Sequence, residues 1–155
     1  MPGILLESEE FEELAVSILS MDQKLCFQAR GESMRPFILS GDRVEVQPLH
    51  HIPLNRGTVV LCRLNDSRLV VHRVTQATLN SLLIQGDAMP YPDGYIPHKN
   101  VLGVVSNIYR KGKLIKFDSF WIKFLAGLWL QLTPIRQIGF RIIQKIRYFG
   151  GNKRD

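Results

Sequence analysis

Gly31-Glu32-Ser33-Met34-Arg35-Pro36, closed by Gly41-Asp42 and followed by Arg43-Val44-Glu45-Val46, reads as a turn that leads into a strand. Polar Arg43 and Glu45 alternate with apolar Val44 and Val46, the two-residue period of a strand with one buried face. Leu25 to Ala29 reads as the strand before the turn. Between the two, Gly31 permits a tight backbone approach and Pro36 fixes the exit direction, so the Ser33 hydroxyl stands on a rigid turn. A serine in a turn is, by itself, most often a turn residue and nothing more.

The strand pattern recurs along the chain. Candidate strands fall at 24–29, 43–47, 58–63, 68–76, 81–86 and 101–109, with a hairpin partner at 113–117 across Lys111-Gly112. Asn65-Asp66-Ser67, Asn80-Ser81 and the stretch Ala88 to Pro97 read as the turns between them. Many short strands with one apolar face predict a mainly β fold, a small curled sheet or open barrel.

Two of these segments carry residues with chemistry. Leu69-Val70-Val71-His72-Arg73-Val74 is a strand with a lone histidine, a residue that in such a place is most often a hydrogen-bonded structural group. Gln85-Gly86-Asp87-Ala88-Met89-Pro90-Tyr91-Pro92-Asp93-Gly94 puts two acids in a Pro/Gly-rich loop, where acids are mostly solvated. Together with Ser33 they supply the three residue types that acyl transfer needs: a nucleophile, a base that titrates near neutrality, and an acid that fixes the base's tautomer. Chain order says nothing about proximity, because such triads occur in several orders on unrelated folds.

The ordered set Gly31-Glu32-Ser33-Met34-Arg35-Pro36 with Gly41-Asp42, Val71-His72-Arg73-Val74, and Gly86-Asp87 with Asp93 resembles the S24/S26 peptidase superfamily, and within it the signal peptidase I group. Val101-Leu102-Gly103-Val104-Val105 resembles the strand that closes that family's catalytic domain, so the likeness runs over roughly residues 25–110. Where most bacterial members carry a lysine base, this chain has His72, as in the archaeal and endoplasmic-reticulum type. The resemblance implies Ser33 as nucleophile, His72 as base, Asp93 as third member and Asp87 as supporting acid. Arg73 offers a competing, structural partner for a loop carboxylate. Gly31 stands where many signal peptidases have a serine that helps bind the oxyanion, which implies an oxyanion hole of backbone N–H groups that includes Ser33's own.

The function implied is a serine endopeptidase that needs no cofactor and cleaves an extended peptide or precursor protein after small residues, the peptide lying as a strand at a sheet edge. Two alternatives stay open. One is a self-cleaving repressor-type protein, which calls for a cleavable linker upstream of the catalytic domain; only residues 1–32 precede Ser33, and no DNA-binding helix-turn-helix fits there. The other is a non-catalytic, membrane-associated peptide-binding module.

Charge divides the chain into three parts. Hydrophobic content of 45% and charged content of 22% are ordinary for a globular protein, and the net charge is +6. Residues 1–22 carry six acids and no Lys or Arg, residues 23–109 nine basic and six acidic side chains, and residues 110–155 eleven basic and two acidic. The expected organisation is an amphipathic helix within 1–23, a catalytic β-domain over 24–117 and a basic helical tail over 118–155. In the first part Ser8 reads as a helix cap ahead of Glu9, Glu10, Glu12 and Glu13, and Phe11, Leu14, Ala15, Ile18 and Leu19 share one face. That helix is too short and too acidic to cross a bilayer, and the start shows no cleavable signal peptide. The family's usual transmembrane anchor is therefore not expected.

The apolar run Phe120 to Leu132 in the tail is also too short to span. After Thr133-Pro134, the residues Ile135, Ile138, Ile142, Ile146 and Phe149 make an apolar stripe flanked by Arg136, Arg141, Lys145 and Arg147. Such helices suit an anionic membrane surface, the alternative being a docked or dimerising hairpin. The expected localisation is peripheral membrane association; the apolar content argues against a nucleic-acid partner. Cys26 and Cys62 read as buried free thiols, and neither they nor the adjacent His50 and His51 have metal-ligand spacing.

Overall fold

The structure, a computed structural model, describes residues 8–50, 52–117, 125, 127–129 and 131–132. The Ser8 side chain, with the cap expected of it, lies outside the described set. So do His51, Trp121 and the stripe from Ile135 to Phe149.

Among the described residues one helix precedes eight strands: α1 (Ser8–Ser20), β1 (Leu25–Gln28), β2 (Arg43–Gln47), β3 (Val59–Arg63), β4 (Leu69–Ala77), β5 (Ser81–Gln85), β6 (Gly94–Pro97), β7 (Val101–Arg110) and β8 (Lys113–Lys116). Every pairing is antiparallel, in the order β1-β2-β7-β3-β4-β5-β6. The long strand β7 pairs with β2 on one edge, while β3 and β8 share its other edge. The sheet curls but does not close, which is the mainly β architecture that the sequence predicts.

Two apolar layers explain the strand sequences. Val59 and Leu61 of β3 face a layer with Ala15, Leu19, Leu25, Val44, Val46 and Ile108, whereas Val60 and Cys62 face Val74, Leu82, Ile84, Ile96 and Val101. β3 is thus buried on both faces, which is why Val59-Val60-Leu61-Cys62 is a continuous apolar run. The apolar face of α1 covers the first layer through Ala15 and Leu19, and Phe11 meets Phe27 edge-on with ring centroids 5.1 Å apart. An ion pair between Glu12 and Arg63 fastens the outer side of α1 to the end of β3. Lys111 and Gly112 both have positive φ, the geometry of a two-residue turn matched to strand twist, and they make the β7–β8 hairpin that the sequence predicts.

Two expectations fail. β6 lies inside the stretch read as turn, because Pro92, Gly94 and Pro97 mask it. As the last strand of the sheet it pairs, among the described residues, on one side only, and an edge strand tolerates proline. Cys26 is exposed and only Cys62 is buried. In the terminal strand β1 the alternation sends Leu25 into the core and Cys26 outward. Burial pushes the Cys62 thiol up to about 12, the charge of Asp93 adding to the effect, so it packs as a neutral apolar group.

Candidate active site

Ser33 rides on the connection between β1 and β2, which closes on itself like a short ladder. The Ala29 N–H donates to the Asp42 carbonyl at 2.7 Å, and the Gly41 N–H donates to the Ala29 carbonyl at 2.9 Å. The Asp42 carboxylate accepts from the Leu39 N–H and takes Arg110 of β7 through Nε and Nη2, and Arg110 Nη2 also reaches the Phe37 carbonyl at 2.8 Å. The guanidinium of Arg110 and the Leu39 N–H outweigh the cost of burial and hold the Asp42 carboxyl below its ordinary value. Gly41-Asp42, singled out by sequence, is therefore the latch of the serine turn. Met34 and Ile38, between Ser33 and the latch, are buried in the core.

β4 carries His72 and Arg73 side by side, so their side chains leave opposite faces of the strand. His72 is buried. Its Nε2 lies 3.0 Å from Ser33 Oγ and its Nδ1 lies 2.8 Å from Asp93 Oδ2. A carboxylate only accepts, so Nδ1 carries the ring proton and donates it to Asp93, which leaves Nε2 to accept from the serine hydroxyl. Asp93 is steadied by its own N–H, which donates to the Ile84 carbonyl at 2.8 Å at the end of β5.

Arg73 takes the other acid. Its Nε and Nη2 donate to the two oxygens of Asp87 at 2.7 Å each, Nη1 donates to the Gly57 carbonyl at 2.8 Å, and its guanidinium lies 4.8 Å from the Phe37 ring centroid. Both side chains are nearly sealed from water, at 2% and 1% exposure, against 6% for His72 and 13% for Asp93. The question left open by the sequence, which aspartate faces His72, thus resolves to Asp93, with Asp87 bound to Arg73.

Sequence reading named Gly86 without giving it a task. A methyl group built there would lie 2.7 Å from the Ser33 carbonyl oxygen and 3.0 Å from His72 Nε2, so only glycine lets loop and serine turn approach this closely. The Ala88 N–H then donates to that same Ser33 carbonyl at 2.8 Å. Phe37 and Trp129 were also missed: the Trp129 indole N–H donates to the Asp87 carbonyl at 2.9 Å, and its ring meets Phe37 edge-on at 6.1 Å. Packing contacts of this kind leave no motif. Gly31, with φ of 86°, is exposed two residues before Ser33, and among the described residues the Ser33 N–H makes no hydrogen bond.

A groove of about 710 Å³ opens onto Ser33 and His72. One wall is β1 with residues 29–31, the other is residues 69–72 of β4, and Phe11, Leu14 and Ile18 of α1 lie along it. Among the described residues β1 is paired only with β2, and this part of β4 only with β3, because β5 takes up residues 73–77. Each wall therefore has an unpaired strand edge.

No group of His, Cys, Asp or Glu among the described residues is arranged to hold a metal ion. No helix among them is long and apolar enough to cross a membrane. A family model described as Peptidase S24-like matches residues 4–106, a span that contains α1, the serine turn, His72 and both aspartates. No curated protein and no solved structure matches the chain.

Proposed function

The chain belongs to the Peptidase S24-like family, and from that premise we propose that it is a serine endopeptidase of the histidine-type signal peptidase kind. The observation that carries the reading is the unbroken chain from Ser33 Oγ through His72 to Asp93, at 3.0 and 2.8 Å. His72 Nε2 takes the hydroxyl proton as Ser33 Oγ attacks the scissile carbonyl. Asp93 fixes the tautomer and stabilises the imidazolium, and His72 returns the proton to the leaving amine. The Ser33 N–H, bound to nothing among the described residues, is available to the developing oxyanion in place of the side chain that Gly31 lacks.

The two unpaired strand edges of the groove favour an extended peptide that adds as a strand between β1 and residues 69–72, with its scissile bond at Ser33. Cleavage follows a small side chain. The reaction takes place beside an anionic membrane, a reading favoured by the excess of basic residues over 110–155 and by the exposure of Leu125, Leu128 and Leu132.

Digestion of a mixed peptide library by wild type and by Ser33→Ala tests the activity. Fragments ending in small residues from wild type alone support it, and equal turnover by both proteins refutes it. Co-sedimentation with anionic but not with neutral vesicles tests the location, and a protein that stays in the supernatant with both removes the membrane from the account.

A further inference from the structure

Trp129 lies beyond the residues that the family model matches, yet it touches the frame of the active site. Its indole N–H donates to the Asp87 carbonyl, and the N–H of the same peptide unit, that of Ala88, donates to the Ser33 carbonyl at 2.8 Å. The carbonyl and N–H of a trans peptide point in opposite directions from one rigid plane. A single peptide group thus stands between the tryptophan and the serine turn, bound on both sides. The contact also closes a ring: Trp129 meets Phe37, Phe37 lies over Arg73, Arg73 grips the Asp87 carboxylate, and the Asp87 carbonyl returns to Trp129. Phe37 is itself part of the serine turn, its N–H donating to the Met34 carbonyl.

We infer that Trp129 is a positioning residue, which fixes the Asp87–Ala88 peptide and through it the alignment of Ser33 with His72. Hydrogen bonds in series polarise one another, so the indole donor strengthens the Ala88-to-Ser33 bond as well as orienting the peptide. Without it the peptide turns more freely, and the Ser33 hydroxyl spends less time on Nε2. Trp129 is in this way a brace of the site.

The inference rests on Ser33 being the nucleophile, and a fluorophosphonate probe separates the two claims. The probe reacts at the nucleophile with no need of a known substrate, so its inactivation rate reads alignment directly. Trp129→Phe keeps an aromatic ring at this place and removes the N–H donor along with part of the indole's contact area. It should slow labelling of the folded protein about 3- to 10-fold, the worth of one hydrogen bond, with the probe's half-saturating concentration unchanged. Trp129→Ala should slow it further; if that variant does not fold, Trp129→Phe carries the test alone. A role in stability only would lower the unfolding midpoint and leave the rate of the folded protein at wild type, which overturns the inference. Labelling of Trp129→Phe at the wild-type rate does so too. Absence of labelling in wild type itself removes the nucleophile reading, and this inference with it.

Discussion

His72 and Arg73 are consecutive residues of one strand, and each reaches an aspartate of the same loop, yet the two pairs do different things. Arg73 and Asp87 are sealed from water, and Arg73 uses three donor nitrogens on fixed acceptors. Neither oxygen of that carboxylate is left for chemistry, so the pair sets the distance between loop and strand. His72 and Asp93 share one hydrogen bond and are less buried, and the second ring nitrogen of His72 faces a hydroxyl at the end of an open groove. Two basic side chains and two carboxylates thus sort into brace and candidate catalyst by burial and by which acceptors remain free. Residue type does not sort them.

If that division is right, substitutions on the two sides fail in different ways. The largest effect belongs to the catalytic side: Asp93→Asn should lower peptide cleavage on the order of 10⁴-fold, because the amide lets the imidazole hold the wrong tautomer. Chemical denaturation should show little change in stability for this variant. On the bracing side Asp87→Ala should cost about 3–5 kcal/mol in urea unfolding, since it strands the buried Arg73 guanidinium. An Asp87→Ala protein as stable as wild type would erase the contrast between the pairs.

Gly86 lies where the sides meet. Gly86→Ala should fold and yet lose activity on the order of 10²-fold, as the added methyl pushes the Ser33 carbonyl away from the loop. Steady-state kinetics should show the loss in kcat more than in KM. Wild-type kcat in this variant would mean that the loop does not set the serine's position.

The smallest effect is one of pH, at Glu45 of β2. Burial would raise the Glu45 carboxyl, but Lys24, Asn107 and Ser106 outweigh it and bring it down to about 2. Its folded value lies below its unfolded one near 4.5, so its contribution is complete above pH 4.5 and is lost as the pH falls toward 2. The stability difference between wild type and Glu45→Gln should shrink by about 2 kcal/mol across that window, read by denaturation at each pH. A constant difference from pH 6 to pH 2.5 would contradict this.

The parts of the molecule legible in the sequence are those written in residue type and period. Val44 and Val46, or the run Val59 to Cys62, announce their strands, and Ser33 and His72 stand out because few other residues can do their chemistry, whereas Asp93 is set apart from Asp87 only by the family resemblance. β6 was illegible because its prolines speak for a turn, and only its place at the sheet edge makes them acceptable. Gly86 acts by what it lacks, and Trp129 acts on a backbone carbonyl 42 positions away in the chain. Long-range contacts of that kind have no spacing from which to be read. Cys26 misled for a related reason: apolar neighbours predict burial of a strand but not which side of it a given residue takes.

The account stands or falls on whether Ser33 is a nucleophile activated by His72. Fluorophosphonate labelling followed by peptide mapping tests that most directly. The account predicts one adduct in wild type, carried by Ser33 and not by any other serine, with labelling lost in His72→Ala and sharply slowed in Asp93→Asn. A wild-type protein that remains unlabelled, or a Ser33 adduct that forms just as fast without His72, would contradict it.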